Sequence, residues 1–246
     1  MSRNLTFHIF RYHPHNPNSH PHLETFSLEE TDGMTLFIVL NRIQEEQDPT
    51  LQFDFCCRAG MCGSCAILIN GRPDLACHTK TIDLPEEITL MPLPVFNLVG
   101  DLSVDKGPWF RKVNERIESW IHTDKTFDPT ALEERMDNQT AVEIYELERC
   151  IECGCCVAAC GTVDRHPDFL GAAALNRIAR FMVDPRDQRK EQDYFEVVGT
   201  DEGIFGCLEL MGREDFCPKN LPLQDQLGIL HRKMGWGAIK GLFKKI

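Results

Sequence analysis

The chain has 246 residues, 42% hydrophobic and 26% charged. That is the make-up of a folded polypeptide with room for one large domain or two ordinary ones, and it excludes disordered and collagen-like chains. A formal charge of −12 argues against a general nucleic-acid binder. No apolar run approaches the ~20 residues that span a bilayer; the longest, Met34 to Ile43, already contains Asn41 and Arg42. Met1 to Phe10 is too polar for a signal peptide. The chain is therefore expected in the cytosol, with its twelve cysteines serving as metal thiolates rather than disulfides.

Leu5, Phe7 and Ile9 alternate as a half-buried strand does, and a second alternation runs from Leu23 to Leu28 after a Pro- and Asn-rich turn at His13 to His22. Thr35 to Glu45 has helical spacing, with Leu36, Val39, Leu40 and Ile43 on one side. Ala66 to Ile69 followed by Asn70-Gly71 predicts a hairpin with a type I′ turn, because both central residues of that turn need positive φ. Ile88 to Met91 predicts a further short strand. Pro92, Pro94, Gly100, Gly107 and Pro108 punctuate a stretch without clear period, read as a linker or crossover. Beyond it the patterns are helical: Trp109 to Ile121, Leu132 to Leu147 and Gly171 to Phe181. The expected plan is a β-rich domain over residues 1–105 and an all-helical one over 106–246. Residues 1–105 carry 6 basic and 14 acidic side chains, whereas 228–246 carry five basic and no acidic ones. No GxGxxG or P-loop signature occurs.

The cysteines cluster at gaps of two to four residues, which lets several sulfurs converge on one small object. Cys57-Arg58-Ala59-Gly60-Met61-Cys62-Gly63-Ser64-Cys65 has the spacing C-x4-C-x2-C, and Cys77 follows after eleven intervening residues. This is the plant-type ferredoxin arrangement for a [2Fe–2S] cluster. Small fillers at Ala59, Gly60, Gly63 and Ser64 let the loop bend and aim backbone N–H groups at sulfur, and the Asn70-Gly71 hairpin supplies the reversal that returns Cys77. Cys56 is out of register and is read as a buried free thiol. Structural zinc sites favour paired CxxC knuckles instead. Cys150, Cys153, Cys156 and Cys160 form C-x2-C-x2-C-x3-C, the bacterial ferredoxin run, in which three cysteines hold one cluster and the fourth ligates another. Cys217, followed by Pro218, is the natural remote ligand. Cys150, Cys153, Cys156 and Cys217 then make a [4Fe–4S] site, while Cys160 and Cys207 are left for a second cubane-like cluster. Cys155 is read as a spare thiol.

In these motifs, their order and their domain plan, the chain resembles the iron–sulfur subunit of succinate dehydrogenase and fumarate reductase, from Leu5 to Cys217-Pro218-Lys219-Asn220. Phe53-Asp54-Phe55, Asn70-Gly71-Arg72-Pro73 and Leu93-Pro94 agree with it, and Cys160-Gly161 together with the Cys155-Cys156 pair points to the bacterial menaquinol:fumarate reductase branch. The resemblance implies an α+β chain, with a plant-type ferredoxin (β-grasp) domain followed by an all-α bacterial-ferredoxin-like domain. It implies [2Fe–2S], [4Fe–4S] and [3Fe–4S] clusters in a row. The [3Fe–4S] cluster takes three cysteines, and the position of the middle one is Arg213 here, whose guanidinium has no lone pair for iron. A carboxylate of Glu214 or Asp215, or hydroxide, is expected to complete that site; the alternative reading of the missing thiolate is a labile or absent cluster.

Nothing in the chain supplies a substrate base, a flavin fingerprint or a nicotinamide site. By resemblance, an FAD flavoprotein interconverts succinate and fumarate, and a membrane cytochrome b subunit with haem b exchanges electrons with menaquinone or another quinone. This chain is the wire between them, peripheral on the cytoplasmic face of the bacterial inner membrane. The runner-up is the same module in a soluble thiol:fumarate reductase, and a third reading is a zinc scaffold. The histidines at 13, 15, 20 and 22 read as a polar turn rather than a metal site. Arg232, Lys233, Lys240, Lys244 and Lys245, interleaved with Trp236, Leu242 and Phe243, make either a contact with anionic lipid or the membrane subunit, or a solvated helix end.

Overall fold

In the computed structural model, residues 3–126, 128–132, 135–207 and 216–243 are described. They divide into two compact units, one of Met1–Trp109 with Ile151–Ala159 and Asp215–Pro218, the other of Phe110–Cys150, Cys160–Glu214 and Lys219–Ile246.

In the first unit, strands β1 (Asn4–Arg11) and β2 (His22–Glu29) form an antiparallel pair, followed by helix α1 (Leu36–Glu46). Strands β3 (Ala66–Ile69) and β4 (Arg72–Leu75) make the expected hairpin, with Asn70 at φ 48° and Gly71 at φ 80°, as a type I′ turn requires. Strand β5 (Glu87–Met91) pairs in parallel with β1 and antiparallel with β3, giving a mixed sheet in the order β2-β1-β5-β3-β4. The alternation of β1 sends Leu5, Phe7 and Ile9 inward, where they are fully buried alongside Leu36, Val39, Leu40 and Ile43 of α1. Sheet and helix thus share one core. The first amides of α1, which lack partners within any helix, donate to the main chain on either side of Cys77: Leu36 N–H to Thr79 O (3.0 Å) and Phe37 N–H to Ala76 O (2.9 Å).

The stretch expected to be a linker is partly ordered as a ribbon. Strands β6 (Asn97–Gly100) and β7 (Ser103–Asp105) pair antiparallel, with an irregularity between Leu98 and Gly100. Strands this short, interrupted by a bulge, leave no period-2 signature to read. Gly107 and Pro108 open a helix, α2 (Gly107–Ile117), because the first turn tolerates proline's missing N–H. Beside β7, Asp101 is fully buried and satisfied: it accepts from Tyr12 N–H and Gln52 N–H at 2.9 Å each, and Arg11 Nε lies 3.2 Å from it. Arg11 also meets Glu24 at 2.5 Å and pairs with Asp48. Gln52 is thereby anchored just ahead of the first cysteine loop.

The second unit is helical. It contains the remainder of α2, then α3 (Asn138–Glu148), α5 (Gly161–Arg165), α6 (Gly171–Val183), α7 (Glu191–Val198) and α8 (Leu223–Phe243); the short α4 (Cys155–Ala158) belongs to the first unit. The helix expected from Leu132 begins only at Asn138, where Asp137 caps it by accepting from Thr140 N–H at 3.0 Å; Leu132 itself is solvent-exposed. Helix α6 is the centre of this unit and buries Ala172, Ala173, Ala174, Leu175 and Ile178. Its buried Asn176 donates to Leu147 O at 2.9 Å, at the end of α3. Helix α8 turns Leu227, Leu230 and Met234 inward and leaves Trp236 exposed. Among the described residues no helix is long and apolar enough to cross a membrane.

Candidate iron–sulfur sites

The first site is a loop between α1 and β3, closed by the turn that follows β4. Cys65 stands at the edge of β3 and Cys77 just beyond β4, where Ala76 N–H donates to Cys65 O (3.0 Å). Cys57, Cys62, Cys65 and Cys77 are all free thiols in one wrap of chain whose main-chain amides turn inward to sulfur. Ala59 and Met61 N–H donate to Cys57 Sγ at 3.4 and 3.2 Å, Cys57 N–H to Cys62 Sγ at 3.5 Å, Gly60 N–H to Cys77 Sγ at 3.3 Å, and Cys77 N–H to Cys65 Sγ at 3.4 Å. This arrangement stabilises anionic sulfur before any iron is considered, because each amide donor is stronger towards thiolate than thiol. The donor set and the amide cage fit a [2Fe–2S] cluster. Among the described residues, no three His, Cys, Asp or Glu side chains gather around a point as a single ion would require.

The two middle thiols differ in environment. Against some burial, which raises it, Cys62 is drawn down to about 6 by the Ser64 hydroxyl and by the N–H groups of Cys57 and Ser64. Burial pushes Cys65 up to about 12, despite the Cys77 N–H. Cys56 is exposed rather than buried. The expectation failed because the residue sits in an outward loop after Phe55, which is itself 45% exposed. Phe53 and Phe55 stack on each other (5.3 Å between ring centroids), and Phe55 meets Phe37 of α1 at 5.0 Å, with Arg58 over the Phe37 ring at 6.0 Å. The flanking aromatics therefore brace the loop on α1.

The second motif enters the first unit's core. Cys153, Cys155 and Cys156 are buried, and Cys155 is wholly so. Gly154, at φ +88°, opens α4, and a Cβ there would fall 2.9 Å from the Phe96 ring, so only glycine fits. Cys155, expected to be a spare thiol, lies against Cys153. It shares a hydrogen bond with Cys153 that, with the Cys155 N–H and the Lys106 charge, lowers Cys153 to about 7 against burial. The same bond and burial hold Cys155 protonated. Sequence spacing gave no sign of this donor. Cys217 also lies in the first unit and is half-buried; Cys150, Cys160 and Cys207 lie in the second, the last two buried. Arg149, next to Cys150, donates to Lys219 O at 2.8 Å within that second unit. Arg213, Glu214 and Asp215, and with them the third ligand, lie outside the described residues.

Residues 6–111 match the family described as "2Fe-2S iron-sulfur cluster binding domain", and residues 146–221 match "4Fe-4S dicluster domain". The chain is 55% identical to the fumarate reductase iron–sulfur subunit of Wolinella succinogenes, over 95% of this chain and 98% of that one. This chain belongs to the iron–sulfur subunit family of fumarate reductase and succinate dehydrogenase. A mitochondrial succinate dehydrogenase [ubiquinone] iron–sulfur subunit from Oryza sativa subsp. japonica is a more distant member, 31% identical over 88% of this chain and 77% of its own. The fold matches a chain in the Mycobacterium smegmatis Sdh1 complex in the apo form with a TM-score of 0.81 and 25% identity, covering 95% of both. The ferredoxin-then-ferredoxin plan expected of such a subunit holds, a mixed sheet followed by helices.

Proposed function

We propose that this chain carries electrons within a membrane-bound quinol:fumarate reductase or succinate dehydrogenase, between a quinone-reactive cytochrome b subunit and an FAD flavoprotein. Bound clusters would supply one-electron transfer; the chain's own residues would bind them and set their charge environment. The observation that carries the reading is the Cys57–Cys77 loop, whose five amide-to-sulfur bonds prepare an anionic site. In this reading residues 1–105 hold the [2Fe–2S] cluster on Cys57, Cys62, Cys65 and Cys77. Residues 106–246 hold [4Fe–4S] on Cys150, Cys153, Cys156 and Cys217, and [3Fe–4S] on Cys160, Cys207 and a non-cysteine third ligand. The Wolinella relative and the Sdh1 complex favour this assembly over a soluble thiol:fumarate reductase.

Electron paramagnetic resonance on the oxidised complex tests the third site. An oxidised [3Fe–4S] cluster is paramagnetic while the other two are silent, so a signal in proportion to protein is expected before reductant is added. Silence there, with two clusters appearing on reduction, rejects the three-cluster wire. The complex is placed on the cytoplasmic face of the inner membrane, and the basic end of α8 is assigned to contact with the membrane or its embedded subunit. Deleting Gly235 to Ile246 is expected to reduce retention of the chain in washed membranes; full retention would return that end to a solvated helix.

A further inference from the structure

Within the first unit the two cysteine segments touch, and a cation is fastened to both. Gly63, between Cys62 and Cys65, stands at φ +71°, and a Cβ on it would lie 2.7 Å from Cys153 Cα and Cβ. The main chain of one ligand segment therefore rests directly on that of the other. Lys106 follows β7 and is half-buried. Its Nζ donates to Gly63 O at 3.0 Å and to Cys153 O at 3.2 Å. Its stem runs beside Gly154, where a Cβ would sit 3.5 Å from Lys106 Cδ. An ammonium is a compact charge with three donors; here two of them join carbonyls 90 residues apart in sequence.

We propose that Lys106 is a positioning residue for electron passage between the [2Fe–2S] and [4Fe–4S] sites. It holds the Gly63 peptide against Cys153, keeping the ligand-to-ligand path short, and its charge favours the reduced, more negative form of both clusters. The inference rests on the electron-transfer reading above and adds a residue to it. Three physical facts support it. The charge is partly withdrawn from bulk water, which weakens the screening of its effect. It is bound to a peptide of each ligand segment rather than to one. And net charge and hydrogen bonding around the sulfurs are among the levers that set cluster potentials.

The test uses the isolated complex with Lys106→Met, Lys106→Gln and Lys106→Arg, assayed for iron and sulfide and then titrated by potentiometric electron paramagnetic resonance. Wild-type complex lacking both cluster signals would overturn the electron-transfer reading and this one together. With wild-type clusters in place, K106M and K106Q are expected to lower both midpoint potentials. The shift corresponds to about a tenfold loss in each one-electron reduction equilibrium, about 59 mV, while K106R stays near wild type. Unchanged potentials in a neutral variant that retains its clusters would overturn the proposal. So would loss of clusters in both neutral variants, which would reduce Lys106 to a structural staple.

Discussion

The two cysteine segments solve one chemical problem in opposite ways. The outer loop keeps Cys62 exposed and Cys57 half-exposed, and it stabilises their anionic form with main-chain amides. The inner segment buries Cys153, Cys155 and Cys156 in the hydrophobic core, so it needs a neighbouring thiol and the charge of Lys106 to keep Cys153 ionisable. Amides are available wherever small residues let a loop curl, and the thiol donor Cys155 lies two residues from Cys153, whereas the charge must be brought from Lys106, 47 residues away. Exposed and buried sulfur sites therefore place their constraints at different distances in sequence.

The contrast is sharpest inside the outer loop itself. After chelation strips the iron, Cys62 at about 6 is mostly thiolate at pH 7, while Cys65 at about 12 is not. Their thiolate populations differ by about 10⁵, and the weaker nucleophilicity of a low-pKa sulfur cancels roughly half of that on a logarithmic scale. Mass spectrometry of iodoacetamide-treated chain should show Cys62 modified at least about a hundredfold faster. Lowering the pH through 6 should slow Cys62 as its thiolate is protonated. Equal rates would erase the distinction.

Asp101→Ala should be the most damaging substitution for folding, by about 2 to 5 kcal/mol, because it leaves two main-chain N–H groups ahead of the outer loop without their acceptor and takes one of three carboxylates from the buried Arg11. Urea unfolding of the apo-chain measures it. Gly63→Ala comes next. The left-handed φ alone costs about 1 to 3 kcal/mol, and the collision with Cys153 must also be relieved. Loss of iron from both motifs at once, by metal analysis, would show that the segments depend on each other; loss from the outer one alone would separate them. Asn176→Ala is the mildest, at about 1 to 2 kcal/mol from the buried Leu147 carbonyl left without its donor. It should lower the midpoint of helical unfolding by circular dichroism and leave iodoacetamide labelling of Cys62 unchanged.

The outer site was legible in the sequence because its logic is local. C-x4-C-x2-C, the small fillers and Asn70-Gly71 lie within 21 residues, and turn chemistry dictates the return of Cys77. The alternation of Leu5, Phe7 and Ile9 and the helical spacing of Leu36 to Ile43 likewise exposed the core. Hidden were the features that need distant partners. Lys106 bonds carbonyls 43 and 47 residues away, and the parallel pairing of β1 with β5 spans some eighty residues. Cys155 looked surplus because spacing counts ligands and is blind to the donors beside them. Cys56 departs from its expected burial because the exposure of a lone thiol depends on which way the loop faces, and here it follows a half-exposed Phe55.

The order of strands also sets a timetable. The β3–β4 hairpin that carries Cys65 and returns Cys77 is joined by a two-residue turn, and such hairpins close in about 1 to 10 μs. The sheet beneath cannot be completed until β5 has emerged to lie against β1, and a ribosome adds only about 5 to 20 residues each second. For roughly a second of synthesis, then, the growing chain holds Cys57, Cys62, Cys65 and Cys77 with their hairpin formed and their supporting sheet still one strand short.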